Sequence, residues 1–217
     1  MRVVIAGGHG KIASHLQRML AANGDQAVGI IRDAGQSAGL RDLSAEPVVL
    51  DLELAETDEV AEVLAGADAA VFAAGAGPGS GVARKDTVDR GAAVLFAEAA
   101  EQAGVRRFVQ ISSMGAGHEI DEARVGEVFA AYLRAKAAAE QDLRERDLDW
   151  TILRPGRLTD EPGTGLVHLA DSVPRADVPR EDVAAVLVEL LADAVTAGRT
   201  LELTSGNTPI EEAVSRL

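Results

Sequence analysis

The chain has 217 residues, 47% of them hydrophobic, and its 35 Asp and Glu outnumber 21 Lys and Arg to give a formal net charge of −14. That length supports one substantial core and not two full-sized domains, and the acidic balance excludes nucleic acid and anionic membrane as expected partners, since binding either needs an excess of Lys and Arg. The absence of cysteine removes disulfides, thiolate metal sites and cysteine nucleophiles.

Residues 2–6, Arg-Val-Val-Ile-Ala, read as a strand that starts right after Met1 and runs into glycines. No room is left for a charged, apolar and cleavable leader, and no later apolar run approaches the roughly 20 residues that cross a bilayer, so a cytoplasmic protein is expected. Short runs rich in Val and Ile then alternate with alanine-rich amphipathic segments. Strands are expected over 2–6, 27–31, 47–50, 69–73, 107–112, 150–154, 165–169 and 200–204, and helices over 12–23, 57–64, 88–103, 125–146, 180–192 and 210–216. This alternation predicts parallel strands with helical crossovers, hence an α/β, Rossmann-type doubly wound parallel sheet in one domain spanning 1–217. Gly24, Gly104 and Gly198 stop predicted helices, Pro179 opens one, and Gly-Ala-Gly-Pro-Gly-Ser-Gly over 75–81 reads as a flexible stretch after a strand.

The first strand-to-helix turn is Gly7-Gly8-His9-Gly10-Lys11-Ile12-Ala13. Glycine lets the backbone approach a pyrophosphate while the N-terminus of the following helix attracts its charge, and Ala13 stands where a dinucleotide fingerprint often has its last glycine. After the second strand, Arg32-Asp33 point to opposite cofactors: an arginine can pair with the 2′-phosphate of NADP, an acid can accept from the free ribose hydroxyl of NAD. Arg32 and NADP(H) are preferred, with NAD as the alternative. Asp51 and Leu52, after the third strand, can bracket an adenine. Ala73-Ala74-Gly75 closes the fourth strand with almost no side-chain bulk, at the end of the sheet where open α/β proteins bind ligands.

Chemistry is expected further on. Ser112-Ser113 ends the fifth strand, and Tyr132 and Lys136 share one face of a predicted helix about a turn apart. A phenol with pKa near 10 is a poor acid or base at neutral pH, and an adjacent ammonium brings it towards the working range; a serine hydroxyl can orient a carbonyl or alcohol. Tyr132 is the chain's single tyrosine. His9, His15, His118 and His168 are scattered without ligand spacing, so no metal site is expected, and the acidic groups around 119–122 and 142–147 read as solvated faces.

On the motifs Val4 to Ala13, Val71 to Gly75, Arg107 to Ser113, Tyr132 with Lys136, and Ile152-Leu153-Arg154-Pro155-Gly156, the chain resembles the atypical short-chain dehydrogenase/reductases, in particular the small NAD(P)-binding subgroup of NmrA-like and sugar-epimerase-like proteins. The resemblance implies a pyrophosphate on Gly7, His9, Gly10, Lys11 and Ile12, a 2′-phosphate on Arg32, adenine beside Asp51 and Leu52, and the nicotinamide end near Lys136 and Pro155. Tyr132 would be the acid/base residue. Residues 155–178, with the C-terminal segment, are the material for a small substrate cap. An NADP(H)-dependent oxidoreductase of a small carbonyl or alcohol is expected, as a monomer or homodimer, with Ser112 or Ser113 orienting the substrate and Lys136 in support. The alternatives are a non-catalytic NADP-sensing regulator and a nucleotide-sugar epimerase.

Overall fold

Val3, Val4, Ile5 and Ala6 are all fully buried, as a central strand covered on both faces requires. They form β1 (Arg2–Ala6), and around it the computed structural model, which describes residues 1–77 and 79–217, builds a nine-stranded sheet. Pro78, in the expected flexible stretch, lies outside the described residues. The chain leaves β1 through α1 (Lys11–Ala22), β2 (Gln26–Ile31), α2 (Ser37–Asp42), β3 (Glu46–Val49) and α3 (Thr57–Leu64). It crosses to the other side of β1 through β4 (Ala69–Phe72), α4 (Val82–Arg84), a π-helix over Lys85–Ala92, α5 (Ala93–Gln102) and β5 (Arg107–Ile111). There follow α6 (Glu122–Val125), α7 (Glu127–Arg144), β6 (Asp149–Pro155), β7 (Arg157–Thr159), β8 (Leu166–Ala170), β9 (Asp177–Pro179), α8 (Arg180–Ala192), β10 (Arg199–Ser205), β11 (Thr208–Pro209) and α9 (Ile210–Ser215).

The strand order is β11-β8-β10-β6-β5-β4-β1-β2-β3. From β10 to β3 every neighbouring pair is parallel, while β8 returns antiparallel to β10. The order therefore reverses between β1 and β4, the switch point at which such sheets hold ligands. Alternation along each strand feeds two cores. Val3, Ile5 and Val71 pack with Leu16, Leu20, Val183 and Leu187 of α1 and α8, whereas Val4, Ala70 and Phe72 pack with Leu64, Phe96 and Leu143 of α3, α5 and α7. In the second core Phe96 packs at a tilt against Phe72 and Phe108, with ring centroids 6.1 and 5.7 Å apart, and burying each ring contributes about 1.5–3 kcal/mol.

Several elements differ from expectation. The helix expected to start at 88 starts six residues earlier, with a short α-helical stretch over Val82–Arg84 followed by a π-helix over Lys85–Ala92. The helix expected over 125–146 is divided at Gly126 into α6 and α7. Within 155–178, Leu166–Ala170 extends the main sheet, while Arg157–Thr159 pairs with Asp177–Pro179 in a separate two-stranded sheet. The C-terminal helix packs through Ile210, Ala213 and Val214 into the core of α1 and α8. Among the described residues no helix is long and apolar enough to cross a membrane.

Candidate active site

The glycine turn presses on its neighbours. A Cβ on Gly7, whose φ is +79°, would stand 2.7 Å from the Cα of Ala74, and one on Gly8 would stand 2.7 Å from the Cα of Gly29 in β2. Both positions are closed to any other residue, which fixes the turn between the ends of β2 and β4. Gln17 holds it from below, its Nε2 donating to the Gly8 carbonyl at 2.8 Å. Gly10 caps α1 with no side-chain hydrogen bond, and the first turn of α1 has no acid. The N–H groups and the positive end of its dipole therefore face the cleft unopposed.

Two pockets open from this turn and share the wall Ala73-Ala74-Gly75. The smaller, about 290 Å³, is lined by Gly7, His9, Gly10, Arg32, Asp51 and Leu52. Asp33 is absent from that lining; its carboxylate accepts from the Gly35 N–H at 2.8 Å and caps a single 3-10 turn. Of the Arg32-Asp33 pair, the arginine alone lines the pocket. Its Nη1 lies 3.9 Å from Glu53, a carboxylate that also takes hydrogen bonds from Arg84 and, at 2.6 Å, from the Thr87 hydroxyl. The Arg84 hydrogen bond, reinforced by Thr87, holds the Glu53 carboxyl below its ordinary range.

The larger pocket, about 1160 Å³, brings together Ile12, Ser112, Ser113, Tyr132, Lys136 and Pro155. Lys136 is buried, donating to the Ile111 carbonyl at 3.2 Å with its Nζ 3.4 Å from Asp89 Oδ1 and 5.8 Å from the centre of the Tyr132 ring. Lys85 approaches the same ring at 5.4 Å and donates to the Gly77 carbonyl at 3.0 Å. The two serines separate. Ser112 donates to Glu140 at 2.6 Å, and Glu140, fully buried, also takes hydrogen bonds from Arg154 and Arg144. Burial pushes the Glu140 carboxyl up, but the hydrogen bonds from Arg154 and Ser112 prevail and leave it below the usual glutamate range. Ser113 makes only a 3.4 Å contact to the Met114 carbonyl, so its hydroxyl is the one available to a ligand. Lys11 lines neither pocket and pairs with Asp160 at 2.5 Å.

Glu53, Arg84, Lys85, Asp89 and Glu140 escaped the reading of the sequence. The available signal for two of them was the spacing of Lys85 and Asp89, four apart on what proves to be one helix face. Among the described residues no three His, Asp or Glu side chains gather as a metal site.

The profile of the NAD(P)H-binding family matches residues 7–194. The chain belongs to that family. An uncharacterized sugar epimerase of Bacillus subtilis is 35% identical, covering all of both chains. A Bacillus halodurans protein with the provisional name NAD-dependent epimerase/dehydratase superposes with a TM-score of 0.91 at 35% identity over the whole of both chains. An oxidoreductase of Lactococcus lactis superposes with a TM-score of 0.87 at 30% identity, over all of this chain and 96% of that one. NAD(P)H-binding proteins need a cradle for a pyrophosphate, and the residues here fit that need: the Cβ-free turn at Gly7 and Gly8 and the uncapped start of α1 stand at the junction of the two pockets. The resemblance drawn from the sequence thus holds in its Rossmann-type fold and in its NAD(P)H-binding family.

Proposed function

We propose that the protein is an NADP(H)-dependent oxidoreductase interconverting a carbonyl compound and an alcohol. The carrying observation is that two ammonium groups, Lys85 and Lys136, lie 5.4 and 5.8 Å from the centre of the Tyr132 ring, in a pocket that shares its Ala73-Ala74-Gly75 wall with the pocket holding Arg32. In this reading the smaller pocket takes the adenosine end, with Asp51 and Leu52 at the adenine and Arg32, assisted by Arg84, at the 2′-phosphate. Gly7, His9, Gly10 and the N–H groups of Lys11 and Ile12 face the pyrophosphate, while Lys136 and Pro155 stand at the nicotinamide end.

Bound NADP(H) supplies or accepts the hydride. Tyr132 gives the proton to the carbonyl oxygen in reduction and takes it from the alcohol in oxidation, and Ser113 donates to the same oxygen and orients it. Lys85 and Lys136 put positive charge beside the phenol, where it stabilises the negative charge that develops as the proton leaves. The test is a calorimetric titration with NADPH and NADH, followed by NADPH consumption across a panel of aldehydes and ketones. Binding of NADPH in preference to NADH, with turnover lost in Tyr132→Phe, is expected; turnover unchanged in Tyr132→Phe would overturn the assignment.

A second reading, nucleotide-sugar epimerisation, draws on the names of the two Bacillus relatives. It predicts nucleotide that copurifies and binding of nucleotide sugars, and absence of both counts against it. A regulator that only senses NADP would bind the nucleotide and turn over nothing in the panel.

A further inference from the structure

We infer that the compound received by the larger pocket has an apolar body and an anionic group, carboxylate or phosphate, and that Arg175 binds the anion. Calling that compound a substrate rests on the oxidoreductase reading; its binding does not. Although the chain carries a net charge of −14, five cationic side chains line this pocket, Lys85, Lys136, Arg157, Arg175 and Arg180, against the three acids Asp89, Glu127 and Asp177. Four of the five are engaged. Lys136 lies against Asp89 and Lys85 on the Gly77 carbonyl; Arg157 binds Asp177 through Nε and Nη2 along one edge of its guanidinium, and Arg180 binds Asp160 at 2.6 Å. Arg175 has neither hydrogen bond nor ion pair among the described residues, in a chain where acids are in surplus.

The side chain of Arg175, itself exposed, reaches the turn after β5. Its Nη2 lies 2.9 Å from where a Cβ on Gly115 would be, and the Leu133 methyl groups, one residue past Tyr132, flank the same point at 3.6 and 3.7 Å. A larger residue at 115 would take the space the guanidinium uses. The fork therefore stands at the turn after β5 beside the helix that carries Tyr132, and a planar fork of this kind takes a carboxylate or phosphate through two parallel hydrogen bonds. The opposite requirement, an apolar body, comes from α7, where Val128 and Phe129 line the pocket while 43% and 46% exposed, with Met114 and Leu158 also in the lining. At about 1160 Å³ the pocket exceeds the usual range of roughly 300–1,000 Å³ for small-molecule sites. The nicotinamide end takes part of this volume beside Lys136 and Pro155, and the apolar lining borders the rest.

The experiment titrates the NADP+-saturated protein calorimetrically with 2-naphthoate, 2-naphthyl phosphate and the neutral 2-naphthamide, in wild type and Arg175→Ala. At least one anion should bind more tightly than the amide, and Arg175→Ala should weaken that anion roughly tenfold or more without altering amide affinity or melting temperature. The tighter anion identifies the group. Equal affinity for anions and amide, anion affinity unchanged in Arg175→Ala, or no binding by any of the three overturns the inference. Reduction of 6-formyl-2-naphthoate and its methyl ester by NADPH separates the two claims. Anion binding through Arg175 with no reduction of either aldehyde leaves the subsite and removes the oxidoreductase reading. Reduction of both with the same KM in wild type and Arg175→Ala does the reverse.

Discussion

A buried ammonium needs a counter-charge, and Lys136 has it in Asp89, which is 1% exposed and leaves Oδ1 without a hydrogen bond. Removing one member of such a pair strands the other, at about 3–5 kcal/mol. Asp89→Ala is therefore expected to lower the unfolding free energy in urea by about that amount, and Lys136→Met added to it should recover part of the loss. Additive effects of the two substitutions would refute the coupling. Tyr132→Phe keeps the ring beside its two lysines and removes the proton, so NADPH binding should persist while turnover falls about a hundredfold or more. Arg32→Ala should weaken NADPH about tenfold, as expected for loss of a charge-assisted contact, and leave NADH unaffected in the same titration. The sequence displayed Tyr132, Lys136 and Arg32 because each stands at a fixed offset from a strand or helix end. It could not choose between Ser112 and Ser113, since neighbours in an extended segment face opposite ways and only the packing of Glu140 shows which hydroxyl is consumed. Glu53 was hidden too, because its partner Arg84 lies 31 residues away.

Among the elements, the glycine turn crosses close over β2. Gly8→Ala would push a methyl group against backbone that cannot yield, at 2.7 Å from Gly29 Cα. A destabilisation of about 1–3 kcal/mol is expected, together with weaker NADPH binding, both measurable by thermal melting with and without nucleotide. The long strands were legible because apolar runs bounded by Gly, Asp and Ser leave few alternatives. The segments β7, β9 and β11 have three, three and two residues, too short for any periodicity, and α2 with six residues is held by the tertiary fold. The π-helix was illegible for a different reason. Its wider winding disrupts the 3.6-residue repeat by which helices are recognised, and that winding carries Lys85 and Asp89 to the cleft. Shortening it by one residue to an ordinary helix would turn everything before it by about 100° and withdraw Arg84 and Lys85 from both pockets.

For the whole molecule, pH and nucleotide should act in ways the buried groups dictate. Glu140 titrates below its ordinary 4.5 in the folded state, so the unfolded chain binds the proton more readily. Its contribution to stability is complete above that ordinary value and is lost as pH falls through the folded one. The difference in melting temperature between wild type and Glu140→Gln should accordingly be largest at neutral pH and narrow below about pH 4.5. NADPH at a hundredfold excess over its Kd should add about 2.7 kcal/mol, which for a chain of this size raises the melting temperature by about 5–10 °C.

The wall of Ala73, Ala74 and Gly75 belongs to both pockets, and this has a consequence for how variation is tolerated. If every position were substituted and nucleotide and substrate affinity were scored separately, most lining residues would sort into two uncorrelated groups, one for each ligand. Residues 73–75 would fall in both. A change there alters the two affinities together, so cofactor preference and substrate range can be varied independently everywhere around the cleft except at its shared partition.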